Sequence, residues 1–130
     1  LDEWNAARRR VAEAYASALS GSGLALPKVA EGREPIYHLY VVRTPDREAL
    51  KQRLDQAGIG TGIHYPVPLH LQPAYRTLGY ERGALPRSEA WADQVLSLPM
   101  FAEMTDAQQT TVIDAVRSAL SASGGLQTDA

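Results

Sequence analysis

The chain has 130 residues, 45 % of them hydrophobic and 22 % charged, the balance of one folded domain with its own core rather than of a disordered tail. Thirteen Lys and Arg against fifteen Asp and Glu leave a formal net charge of -2, so no positive field gathers nucleic acid or an anionic bilayer. With no cysteine there are no disulfides, thiolate nucleophiles or Cys-based zinc sites, and the apolar runs are too short to span a membrane; the expected compartment is the cytoplasm.

The chain opens without an initiator Met on LDEWNAARRRVAEAYASAL. Leu1, Trp4, Val11, Tyr15 and Leu19 recur at helical spacing, which predicts an amphipathic helix. A start inside a helix predicts a piece of a longer protein, although removal of a tag or of the Met would look the same. SGSGLALP and KVAEGREP predict a break and a polar loop. IYHLYVVR, residues 36–43, is predicted as a strand covered on both faces; within it His38 reads first as a hydrogen-bonded core histidine, and Tyr37 and Tyr40 as packing. Thr44 is the expected cap of the next helix and Pro45 its first residue, with Leu50, Leu54 and Ala57 at i, i+4 and i+7 before Gly58 stops it.

IGTGIHY, residues 59–65, is predicted as a second strand with Gly60, Gly62 and His64 on one face and Ile59, Thr61, Ile63 and Tyr65 on the other. The glycines empty the face on which His64 stands, so a backbone or a ligand can come close. Each costs ~0.5–1 kcal/mol against Ala, which asks for compensation. Pro66 and Pro68 stiffen the exit, a turn-rich stretch follows, and RSEAWADQV is a helix opened by Pro86. LSLPMF, residues 96–101, is a third short strand. Thr105 with Gln108 forms a capping box for a last helix striped by Val112, Ile113, Val116 and Leu120, and residues 121–130 read as a disordered tail. The sum is an α+β fold, an α/β sandwich with a small sheet of about three strands and about four helices.

Several chemistries drop out. His64 and His70 lie on opposite sides of two prolines and no HExxH spacing exists, which argues against a metal site. GIGTGI sits inside a strand and lacks a following helix and a G-K-[ST] ending, so it is not a phosphate loop. No serine stands in a G-x-S-x-G elbow. Trp4 and Trp91 read as core or interface anchors.

LDEWNAARRRVAEAYASAL, YHLYVVR, LDQAGIGTGIHYPVPLHLQPAY and LSLPMF…MTDAQ, in that order, closely resemble the C-terminal small domain of DegT-type aminotransferases. These are pyridoxal-phosphate enzymes that aminate nucleotide-linked keto sugars. The resemblance runs from Leu1 to about Leu120, giving an expected domain over 1–120. It departs at Ala102, where the family usually has a proline, which touches only a loop. It implies the fold of the C-terminal domain of fold-type I aminotransferases, and a homodimeric parent that uses pyridoxal phosphate, glutamate and a dTDP-linked keto-deoxysugar aminated at C3. In such parents a large N-terminal domain, missing here, holds the Schiff-base lysine, the acid paired with the pyridine nitrogen, and the phosphate cup. Lys28 lies in a polar loop and Lys51 on the exposed side of a helix, so neither is the buried amine that imine chemistry needs; the fragment alone is expected to be inactive.

The resemblance also places HYP at the mouth of the active site. His64 and Tyr65 are therefore the expected substrate-binding residues, with His70 and His38 as further candidates, holding orientation rather than breaking bonds. No residue is assigned to catalysis, cofactor or metal. A regular strand points His64 and Tyr65 to opposite faces, so both reach one ligand only if the chain bends at Pro66 or bulges at Gly62. The alternative is a non-catalytic regulatory or protein-interaction domain, a role suspected for some DegT-type members.

Overall fold

The computed structural model describes residues 1–122; from position 123 onward the expected tail lies outside the described residues. Helix α1 spans Asp2–Leu19, strand β1 Tyr40–Arg43, helix α2 Arg47–Gln56, helix α3 Pro86–Gln94, strand β2 Val95–Leu98 and helix α4 Asp106–Ser121. Two short 3₁₀ turns, Leu69–Leu71 and Pro73–Leu78, lie between α2 and α3. The architecture is α+β. β1 and β2 pair antiparallel with Tyr40 opposite Leu98 and Arg43 opposite Val95, and single bridges continue the pairing outward, Ala25 to Arg43 and Gly62 to Ser97.

Helical periodicity decides which residues enter the core. Val11, Ala12, Tyr15 and Leu19 of α1, Leu50 and Leu54 of α2, and Val112, Val116 and Ala119 of α4 converge on Tyr40, Val42, Leu96 and Leu98 of the sheet. Tyr15 and Tyr40 meet edge to face with centroids 5.1 Å apart. The Tyr15 hydroxyl donates to the Pro99 carbonyl at 2.8 Å, whereas the buried Tyr40 hydroxyl has no hydrogen-bond partner. Burial, and secondarily Tyr37, pushes the Tyr40 phenol up to about 12; burial raises Tyr15 too.

The ends of the helices follow local chemistry. After α2, Ile59 N–H donates to Leu54 O at 2.8 Å and Gly58 N–H to Asp55 O at 3.0 Å, with Gly58 left-handed; this double closure is a Schellman stop. Thr105 and Gln108 form the expected reciprocal cap of α4.

Several expectations are corrected. The strand expected over 36–43 is only Tyr40–Arg43, because Tyr37 takes a φ of 50° and turns the chain; His38 is exposed at this bend, not in the core. The strand expected over 59–65 reduces to the Gly62–Ser97 bridge, since two prolines and two glycines leave little to pair or pack. Helix α2 starts at Arg47, two residues late; Thr44 instead accepts the Asp46 N–H at 3.2 Å, a turn ahead of the helix. Trp4 and Trp91, read as core or interface anchors, both lie outside the core, and the apolar stripe of α1 is buried from Val11 onward with Leu1 and Trp4 exposed at its start. Ser121, assigned to the tail, is the last residue of α4.

Candidate functional site

The chain between the Gly62 bridge and α3 wraps one side of a surface groove of about 820 Å³. His64 and Tyr65 line it from the segment after Gly62, Leu69, His70, Tyr75 and Leu78 from the 3₁₀ turns, Tyr80 and Leu85 from the following loop, and Arg87, Ser88 and Trp91 from α3. Aromatic and aliphatic walls carrying a few polar groups are the usual composition of a small-molecule site. Further contacts brace the walls. Gln72 Nε2 donates to Val67 O at 3.1 Å, Arg47 Nη1 donates to Ala92 O at 2.6 Å, and the Arg43 guanidinium lies 4.5 Å from the Trp91 ring centroid, a cation–π contact that joins β1 to α3.

His64 and Tyr65 stand together. After Gly62 the chain leaves strand geometry, the His64–Tyr65 peptide is cis, and the two rings meet edge-on with centroids 5.5 Å apart. The His64 ring folds back across Gly62, where a Cβ would lie 2.6 Å from its Cε1. Its Nδ1 is 2.9 Å from Ser97 Oγ. Gly60 has open space beside it, so only the second glycine answers a close approach. Tyr65 is 72 % exposed.

His70 is buried and lines the groove, its Nε2 3.0 Å from Glu89 Oε1 and its ring edge-on to Tyr80. His38 is not among the lining residues. Glu89, inward-facing on α3, holds its carboxyl below the usual range, first because Gly83 N–H donates to it and further through His70 and Leu85 N–H, against the opposing effect of burial.

Two residues of this arrangement escaped the sequence reading, Ser97 and Glu89. Ser97 lies in a strand buried at every position, and Glu89 lies three residues from Ala92 on the buried face of α3. Neither lysine fits an imine-forming role. Lys28 is exposed, Lys51 is paired with Asp55 at 2.6 Å, and neither borders the groove. Among the described residues no three His, Cys, Asp or Glu side chains gather as metal ligands, and no helix is long and apolar enough to cross a membrane.

Residues 1–117 match the DegT/DnrJ/EryC1/StrS aminotransferase family. The chain belongs to this family. Among family members, the dTDP-3-amino-3,4,6-trideoxy-alpha-D-glucose transaminase of Streptomyces venezuelae is 48 % identical over 118 residues, covering 90 % of this chain and 31 % of the relative. A pleiotropic regulatory protein of Geobacillus stearothermophilus is 41 % identical over 119 residues, 89 % of this chain and 32 % of that protein. The crystal structure of S. venezuelae DesV in complex with a ketimine intermediate superposes with a TM-score of 0.89 at 46 % identity, covering 92 % of this chain and 32 % of that one. The chain thus spans about a third of the length of the family members it matches.

Proposed function

We propose that residues 1–120 are the C-terminal small domain of a sugar aminotransferase. Its parent uses pyridoxal phosphate to move an amino group from glutamate to a dTDP-linked keto-deoxysugar, acts as a cytoplasmic homodimer, and carries the imine-forming lysine in its other domain. The observation that carries this reading is the convergence of His64 and Tyr65 on one aromatic groove in a member of an aminotransferase family. The sugar transaminase activity for which the S. venezuelae relative is named supports the sugar.

The chain's own residues bind and orient. His64 has Nδ1 engaged by Ser97, so Nε2 is the atom left for a ligand; the Tyr65 hydroxyl donates or accepts beside it. Two such groups hold a sugar or its phosphates at a fixed angle without exchanging protons with the reacting carbon. His70, engaged through Nε2, keeps Nδ1 for the same ligand. His38, outside the groove, takes no part. The isolated chain does not turn over substrate.

A regulatory role is the second reading, and the G. stearothermophilus relative favours it. Incubating the full-length parent with pyridoxal phosphate, glutamate and a dTDP-linked 3-keto-deoxysugar separates the two. Glutamate-dependent amino-sugar formation, absent with the 130-residue chain alone, supports the enzyme. A parent with neither cofactor absorbance nor product supports the regulator.

A further inference from the structure

We propose that Glu89 is a positioning residue of the groove: its carboxylate fixes His70 with the proton on Nε2 and clamps the 83–85 loop, so that His70 and Tyr80 meet a ligand in one arrangement. The inference deepens the reading of the groove as the substrate side and rests on it.

Glu89 is only 7 % exposed, and a carboxylate is rarely buried without partners. It has three. Gly83 N–H lies 2.9 Å from Oε1 and 2.8 Å from Oε2, Leu85 N–H donates to Oε1 at 3.2 Å, and His70 Nε2 is 3.0 Å from Oε1. Gly83 reaches the carboxylate with a left-handed φ of 95°, a conformation that glycine adopts at little cost. One side chain on α3 thereby ties together a 3₁₀ turn, a loop and a helix that all border the groove.

The chemistry of the acceptor fixes the ring. An ionised carboxylate only accepts, so His70 Nε2 carries hydrogen and the ring cannot flip its tautomer without losing the bond. The backbone N–H groups keep Glu89 ionised. Tyr80 then packs edge-on against a ring of defined orientation, centroids 6.3 Å apart. A neutral acceptor would also satisfy the Gly83 and Leu85 N–H groups, but one that can donate as well would not hold the ring in a single tautomer. What the charge adds is orientation.

The test uses the full-length parent with ¹⁵N-labelled histidine. Long-range ¹H–¹⁵N correlation in the wild type should show hydrogen on His70 Nε2 at neutral pH; an Nδ1–H neutral ring overturns the proposal without any variant being made. In E89Q the neutral tautomers should mix. The keto-sugar half-reaction should show KM raised about tenfold with kcat changed less than about twofold, the loss of one charge-assisted hydrogen bond, and the glutamate half-reaction should be unchanged. Wild-type KM in E89Q, or equal losses in both halves, would also overturn it. A wild-type parent that does not aminate any keto sugar defeats the functional reading instead; the tautomer comparison between wild type and E89Q then decides alone whether Glu89 holds His70.

Discussion

The His64 imidazole occupies the space that a side chain at Gly62 would fill, 2.6 Å from the position of a Cβ to Cε1. The same ring meets Ser97 Oγ at 2.9 Å, and Ser97 in turn exchanges backbone hydrogen bonds of 3.1 and 2.7 Å with Gly62. Strand, glycine and imidazole therefore form one unit whose product is a ring of fixed direction at the groove.

Gly62→Ala tests that unit. The exposed ring can swing away from the new methyl, so the folding cost is the lost His64–Ser97 bond, about 0.5–1.5 kcal/mol, offset by the ~0.4–1 kcal/mol that Ala gains over Gly through the unfolded chain. Stability should therefore change by less than about 1 kcal/mol, while KM for the keto sugar in the parent rises as it does in His64→Ala. Denaturant unfolding beside half-reaction kinetics reads both; a large stability loss with unchanged KM would contradict the arrangement.

The two core tyrosines should part company on losing their hydroxyls. Tyr15→Phe breaks the bond to the Pro99 carbonyl and should cost about 1 kcal/mol, more if that carbonyl is left dry. Tyr40→Phe removes a buried hydroxyl with no partner and should be neutral or stabilising. Thermal unfolding of the two variants side by side checks the ordering, and equal destabilisation would refute it.

These particulars show where the sequence was informative. The helices were legible because caps and stops are local: Thr105 with Gln108, Pro86, and Gly58 each act within a few residues. The strand over 59–65 was misread because alternation says which face a side chain takes but not whether a neighbour exists to pair with. His38 was misplaced because a single left-handed residue, Tyr37, cut the strand short. His64 and Tyr65 stood out by their setting among glycines and prolines. Glu89 and Ser97 did not, since their partners lie 19 and 33 positions away, and no local pattern encodes such pairings.

Acid should act on the Glu89 clamp. Its carboxyl titrates below the ordinary 4.5, so the unfolded chain takes up the proton first as pH falls. The contribution is complete above the unfolded value and disappears as pH drops through the lower folded one. Unfolding midpoints followed from about pH 7 to about pH 3 should show wild type and E89Q converging below the ordinary carboxylate value. Parallel curves over that range would remove the clamp's ionised state from the account.

Neither lysine should capture the cofactor. Treating the 130-residue chain with pyridoxal phosphate and borohydride, then measuring its mass, should leave Lys28 and Lys51 at the background of any exposed amine. A stoichiometric adduct on either would contradict the assignment of imine chemistry to another domain.

The role of His64 is settled by separating the two half-reactions in the full-length parent. His64→Ala should raise KM or lower kcat/KM in the keto-sugar half by the worth of one or two hydrogen bonds, on the order of 1–3 kcal/mol, and leave the glutamate half and the cofactor absorbance as in wild type. An essential proton-transfer residue would instead cost ~10²–10⁴-fold in kcat. A loss of that size, an equal loss in both halves, or no loss in either would contradict substrate orientation by His64.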